Sequence, residues 1–254
     1  QVGGFRGRGG VKTLAVLSRK GGTGKTAITL HMAAQAHALG HRTLIADADT
    51  QHSALEWSRT RTIKGPVVVD ARPGTLFTVR EAAIRSGMDL CVIDTGPSVG
   101  PDCIEAARLA DLCLMVVRPS AFDIKAVAET AEMLGRQRSN GWFVINQAPA
   151  RRKGEEAPAV LRAVETLKTY GFPIAPIGLR SRVVYQAALA RGLSAGELDP
   201  ASVGAAESAA LWNAVAAALW PKVETRPIAS RPSQAALYGW PMTRPLERPQ
   251  APLA

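Results

Sequence analysis

The chain has 254 residues, enough for one sizeable α/β domain or two small ones. With 46% hydrophobic and 20% charged residues it reads as globular, and no apolar run approaches the roughly 20 residues that a membrane-spanning helix needs. The net charge of +10 divides into +2 over residues 1–10, +3 over 221–254 and +5 over the rest, a mildly basic body that gives only a weak pointer to a polyanionic partner.

Residues 1–10 are Gly/Arg-rich and lack the apolar stretch of a signal peptide, so they are expected to be a flexible leader. Thr13–Ser18 then predicts the first strand, and 25–39 the first helix. Further strands are expected at Thr43–Ala46, Val67–Asp70, Leu90–Asp94, Leu112–Val117, Trp142–Asn146 and Ile174–Ile177. Helical stretches alternate with them near 76–86, 102–109, 123–137, 155–170 and 183–190, with a last helix near 203–219. Several strands are almost uniformly apolar, as when both faces of a parallel sheet are covered, so the alternation predicts a doubly wound, mostly parallel α/β sheet flanked by helices over 11–220. Cys91, Cys103 and Cys113 form no CxxC pair, and the first and last sit inside apolar runs, which favours packing over a metal or disulfide role. From Pro221 the sequence holds seven prolines in 34 residues, a composition expected of an extended or disordered tail in which Tyr238 and Trp240 leave room for a partner contact.

The most informative stretch joins the first strand to the first helix: Arg19-Lys20-Gly21-Gly22-Thr23-Gly24-Lys25-Thr26-Ala27. Glycines allow backbone N–H groups to turn inward around phosphate oxygens, and the helix that follows directs its positive end at them. Lys25 is expected on the β/γ-phosphates and the Thr26 hydroxyl on Mg²⁺. An ordinary phosphate loop needs Gly at position 19, where this chain has Arg19, and the run adds a second lysine, Lys20.

That run resembles the deviant Walker A motif of the ParA/MinD family of P-loop ATPases. The resemblance implies ATP and Mg²⁺ as cofactors, an ATP-sandwich homodimer, and a cross-subunit role for Lys20 at the partner's nucleotide. It extends to Asp47-Ala48-Asp49-Thr50-Gln51, where the family usually has DxDPQ, so that Thr50 stands in place of proline. By position Asp49 is implied to orient the attacking water and Asp47 to stand in the Mg²⁺ shell. Val92-Ile93-Asp94-Thr95-Gly96-Pro97 reads as the Walker B strand, with Asp94 near Mg²⁺. Val117–Asp123 is similar to the segment leading into the dimer-side helix, and Asn146 and Pro176 match positions around the adenine base. The catalytic set is therefore expected to be Lys20, Lys25 and Asp49.

Among relatives, a membrane-bound MinD-type protein is disfavoured because prolines break the C-terminal tail, and an iron–sulfur reductase because Cys103 has no second cysteine suitably placed. Small partition ATPases fit best. The resemblance then implies a cytoplasmic, nucleoid-associated protein that binds nonspecific double-stranded DNA and is reset by a ParB-like adaptor. Arg151, Arg152, Lys153, Arg180, Arg182 and Arg191 are the candidate phosphate contacts, with Lys222 and Arg226 behind them. Three readings stay open beside DNA partition: positioning of a protein cargo, recruitment of a conjugative or secretion complex, and a metabolic P-loop kinase or ligase.

Overall fold

A computed structural model describes residues 10–221. Its six strands, β1 (Lys12–Leu17), β2 (Thr43–Ala48), β3 (Val67–Asp70), β4 (Leu90–Thr95), β5 (Leu112–Val117) and β6 (Gly141–Ile145), form one sheet in the order β3-β2-β4-β1-β5-β6. Every pairing is parallel. Nine helices are interleaved among the described residues: α1 (Lys25–Ala38), α2 (Ser53–Thr60), α3 (Leu76–Arg85), α4 (Pro101–Leu109), α5 (Ala121–Gln137), α6 (Pro158–Lys168), α7 (Val183–Leu189), α8 (Ala195–Leu198) and α9 (Val203–Leu219). This is the expected doubly wound sheet.

The two-residue period of the strands sorts the core into two layers. Ala15, Leu17, Leu44, Ala46, Cys91, Ile93, Cys113, Met115 and Val117 face α3–α6. Leu14, Val16, Ile45, Val92, Leu112, Leu114 and Val116 face α1, α2 and α7–α9. Both sets are buried, which is why the central strands read as unbroken apolar runs. All three cysteines are buried in the first layer, and burial pushes their thiols up to about 12, 11 and 12 for Cys91, Cys103 and Cys113.

The chain leaves β1 for β2 on one side, returns to β4, and crosses over β1 to β5 on the other. This reversal opens a crevice at the carboxyl ends of β1 and its neighbours, where ligands of such sheets bind. The register Val16↔Asp94 and Asp47↔Asp94 brings the two strand-end aspartates to that crevice side by side.

Three expectations change. Ile174–Ile177 is not a strand: Ile174 makes an isolated parallel bridge to Phe143, and after Ala175 the ladder stops at Pro176, which has no N–H to donate. The helix expected at 155–170 spans Pro158–Lys168, because Arg152 and Glu155 first close a small bridge. The short helices α2 and α8 were not expected at all. The leader 1–10 (all but Gly10) and the tail from Lys222 onward, with Lys222, Arg226, Tyr238 and Trp240, lie outside the described residues. Among the described residues no helix is long and apolar enough to cross a membrane.

A buried ion pair ties the two unexpected helices together. Arg61, just past α2, donates to both oxygens of Glu197 at 2.9 and 2.5 Å, lies over the Trp57 ring and donates to the Gly192 carbonyl. Its side chain is 3% exposed, so Glu197→Gln strands a buried guanidinium. We expect that variant to lose on the order of 3–5 kcal/mol in chemical denaturation, and a loss under 1 kcal/mol contradicts this account.

Candidate functional site: a phosphate loop with two lysines

The loop enters from β1 and ends at Gly24, which caps α1 with φ 91° and ψ 30°. A side chain there meets two obstacles: the left-handed backbone, and the Asn146 amide only 2.2 Å from where its Cβ belongs. Asn146 Nδ2 donates to the Thr23 carbonyl at 2.7 Å, and Gln147 Nε2 to the Gly22 carbonyl at 3.2 Å. Two consecutive side-chain amides at the end of β6 thus brace the loop from outside. Asn146, expected at the base, here braces the loop, and Gln147 escaped sequence reasoning. Pro176 is exposed on the segment that runs along β6, where Ala175 and Leu179 donate to the carbonyls of Phe143 and Ile145.

The first turn of α1 carries Lys25, Thr26 and Ala27. Lys25 is buried at 6% exposure, and burial lowers its pKa while Asp94 and Asp49 pull it back up. Asp94 is wholly buried. Burial pushes its carboxyl up to about 7; the Thr26 and Thr29 hydroxyls pull against this, and the Asp47 charge adds to it. Its Oδ1 accepts the Thr29 hydroxyl at 3.1 Å, while Oδ2 is buried without a hydrogen-bond partner among the described residues.

Asp47 spends both oxygens on the loop that follows: Oδ1 accepts the Asp49 N–H at 3.2 Å and Oδ2 the Leu55 N–H at 3.0 Å. Burial raises its pKa, and these amides lower it. Asp49, also buried, accepts the Gln51 N–H at 3.0 Å. Thr50, in place of the usual proline, is exposed and leaves this turn intact.

The Thr26 hydroxyl and the orphaned Asp94 oxygen are oxygen donors suited to a hard cation, and the Lys25 ammonium beside them is placed for phosphate rather than for metal. Among the described residues no group of three or more His, Cys, Asp or Glu side chains gathers to hold a metal alone. Mg²⁺ is a cation that takes one or two protein oxygens together with substrate phosphates. Thr26 and Asp94 are the residues that could hold such an ion.

Lys20 goes elsewhere. Its Nζ lies 2.8 Å from Asp123 Oδ1 and 5.8 Å from the Phe122 ring centroid, at the start of α5 in the same chain. Arg118 donates to both oxygens of Asp123 at 2.6 and 3.3 Å, and Ser120 to Oδ2 at 2.9 Å. Burial pushes the Asp123 carboxyl up, but the hydrogen bonds from Arg118, Lys20 and Ser120 outweigh it and bring it down to about 2. Arg19 reaches the same helix through Glu129 at 2.8 Å. Between loop and helix runs an open groove of about 900 Å³ lined by Arg19, Lys20, Pro97, Val99, Phe122 and Lys125, with Phe122 79% exposed.

The predicted basic set falls into two groups. Arg151 and Arg180 share Glu156 at 3.0 and 2.7 Å, and Arg182 pairs with Glu207 at 2.6 Å, a ladder that joins the β6 edge to α9. Arg152, Lys153 and Arg191 are exposed and form no ion pair among the described residues. Lys153, at φ 51°, and Gly154, at φ 83°, sit at the tip of a tight turn.

A phosphate loop at the switch point of a parallel sheet, with aspartates at the ends of two adjoining strands, defines a P-loop nucleotide-binding protein. Residues 14–193 match the CobQ/CobB/MinD/ParA nucleotide-binding domain, and the chain belongs to that ParA/MinD family. It is 30% identical over 199 residues to the maintenance of carboxysome distribution protein A of Halothiobacillus neapolitanus, covering 73% of this chain and 87% of that one. It is 27% identical over 150 residues to the chromosome-partitioning ATPase Soj of Thermus thermophilus, covering 48% of this chain and 60% of Soj. Among solved structures, apo McdA of Cyanothece superposes with a TM-score of 0.68 at 17% identity, covering 83% of this chain and 100% of that one.

Proposed function

We propose that this protein is an ATP-driven positioning ATPase. ATP binds at Gly21–Thr26 with Mg²⁺, two copies close around two nucleotides, and the closed dimer holds nonspecific double-stranded DNA. Asp49 orients the water for slow hydrolysis, an adaptor of ParB-like kind stimulates it, and the dimer separates. Mg²⁺ supplies charge neutralisation on the phosphates, while Lys25 binds them and Asn146 and Gln147 keep the loop in shape.

The observation that carries this reading is the divergence of the two lysines. Lys25 is buried toward Asp94 and Asp49, whereas Lys20, on the same short loop, is 42% exposed along its side chain and turned out to the groove at α5. A cation placed off its own phosphate cradle and beside an open face is suited to a neighbour's phosphates, which makes pairing depend on the triphosphate. The test is sedimentation with nonspecific duplex DNA under ATP, ADP and no nucleotide. Pelleting restricted to ATP is the expected result, and none under any nucleotide sinks the proposal.

For the DNA face, Arg152, Lys153 and Arg191 are proposed to carry most of the phosphate contact, because Arg151, Arg180 and Arg182 already hold carboxylates. Each phosphate contact contributes about 0.9 to the slope of log affinity against log salt. Arg152→Ala with Lys153→Ala is therefore expected to flatten the slope by about 1.8. An unchanged slope moves the footprint off this turn.

DNA is the cargo in the first form of the proposal. A protein assembly as cargo is the second, favoured by the 30% identity to a carboxysome-distribution protein. The adaptor decides between them: one that binds a DNA site supports partition, and one that coats a protein body supports the alternative.

A further inference from the structure

Thr29 belongs to no motif that marks the phosphate loop, yet its side chain is among the most enclosed polar groups in the molecule, at 0% exposure. It lies four residues after Lys25 and three after Thr26 on α1, so all three project from one face of the helix toward the end of β4. Its hydroxyl donates to Asp94 Oδ1 at 3.1 Å. Thr95, the next residue on β4, anchors the strand end by donating to the Val16 carbonyl at 2.8 Å. The backbone beneath Asp94 is thus fixed, and what remains soft is rotation of the carboxylate about χ2, a broad, roughly two-fold torsion.

One hydrogen bond to one oxygen removes that freedom. It also explains why Oδ2, rather than Oδ1, is the buried oxygen without a partner among the described residues. Buried polar atoms are nearly always paired, so an orphan fixed in place by its sister oxygen's bond marks a position reserved for something absent from the protein itself. Thr26, three residues before Thr29 on the same face of α1, is near enough to this carboxylate to lower its pKa but makes no hydrogen bond to Oδ2.

We infer that Thr29 is a positioning residue for divalent-cation binding: by holding Oδ1 it presents Oδ2 of Asp94 as the free ligand oxygen beside the Thr26 hydroxyl. The inference rests on the proposed ATP–Mg²⁺ reading of the site. A partner that orients a ligand rather than touching the metal typically changes metal affinity by about 10–100-fold when removed. Valine keeps the branched shape and loses the hydroxyl, and serine keeps the hydroxyl and loses the methyl.

The experiment titrates Mg²⁺ against a fixed concentration of a fluorescent, non-hydrolysable ATP analogue, with the intact chain as wild type, Thr29→Val, Thr29→Ala and Thr29→Ser. The same analogue is titrated in EDTA, and thermal melting of the nucleotide-free proteins is followed in parallel. The expected result is a Mg²⁺ midpoint raised about tenfold or more in Thr29→Val and Thr29→Ala, and within about threefold of wild type in Thr29→Ser. Affinity in EDTA stays the same in all four. An unchanged midpoint in both hydroxyl-less variants overturns the inference while leaving the ATP–Mg²⁺ reading standing. An equal loss of affinity in EDTA overturns it too, since it assigns Thr29 to loop packing. A wild-type protein whose analogue binding ignores Mg²⁺ removes the reading and the inference together.

Discussion

Lys25→Ala is expected to abolish ATP-dependent pelleting with DNA and to weaken ATP binding by about a hundredfold or more, whereas Lys20→Ala is expected to abolish pelleting while leaving ATP affinity within about threefold of wild type. The difference follows from where the two ammonium groups lie. Lys25 is buried beside Asp94 and Asp49, and truncation takes a nearly desolvated charge from the phosphate cradle while leaving two carboxylates facing the nucleotide. A charge-assisted contact in such surroundings is worth about 1.5–3 kcal/mol, and the unneutralised aspartates add repulsion to its loss. Lys20 makes its contact with Asp123, in the first turn of α5, so a single chain loses little phosphate binding without it. In the proposed dimer the same lysine reaches the other copy's phosphates, and only the paired state suffers. Isothermal titration separates the two variants, and analytical ultracentrifugation with a non-hydrolysable analogue reads the dimer directly. Equal loss of ATP affinity in both variants places Lys20 in its own cradle and removes the ground for nucleotide-dependent pairing.

The pair with Asp123 gives this prediction a second edge. Asp123 is almost wholly buried and holds Arg118, Ser120 and Lys20 at once. For Lys20 to serve another chain it has to leave this carboxylate, and Arg118 stays behind as the counterion. Asp123 therefore remains neutralised in either state. Asp123→Asn is accordingly the less informative variant, because it frees Lys20 and unpairs Arg118 together.

Much of this architecture was legible in the sequence, for local reasons. Apolar runs such as Leu112–Val117 are strands because both faces of the sheet are covered, and the two-residue period assigns alternate side chains to the two helix layers. The phosphate loop was legible because glycine, lysine and threonine at fixed spacing between a strand and a helix serve one chemistry. What escaped was of two kinds. Ile174–Ile177 has the composition of a strand, but Pro176 interrupts its row of donors after Ala175, and helices as short as α2 and α8 hardly show a helical period. The other kind is long-range. The bonds from Asn146 to Thr23 and from Arg61 to Glu197 join residues 123 and 136 positions apart. Periodicity reports which face of its own element a residue occupies, and says nothing of the partner across the fold. Thr29 is the middle case: its spacing from Lys25 was visible, but only the β4 register shows that Asp94 waits opposite.

Asp94 carries the other large effect, and its sign runs against intuition for a binding residue. In the nucleotide-free protein Asp94→Asn is expected to raise stability at pH 8, by on the order of 1–3 kcal/mol, and by less at pH 5. The carboxyl titrates near 3.8 when unfolded and is pushed up to about 7 when folded, chiefly by burial and further by the Asp47 charge. A folded-state pKa above the unfolded one means that the protonated form is favoured by folding. That contribution is complete below about pH 3.8 and is lost as the pH rises through about 7. The gap corresponds to about 4 kcal/mol between its limits, and Lys25, which loses a counterion in the variant, offsets part of it. Asparagine still accepts the Thr29 hydroxyl and carries no charge to bury. Chemical denaturation of both proteins at pH 5 and pH 8 measures the difference, and a variant equally destabilised at both values refutes the argument. The same substitution removes the orphaned oxygen, so Mg²⁺ is expected to lose its effect on nucleotide binding. Gain in stability with loss of cation dependence is the mark of a group kept charged and buried for its ligand, and a residue retained only for packing shows neither.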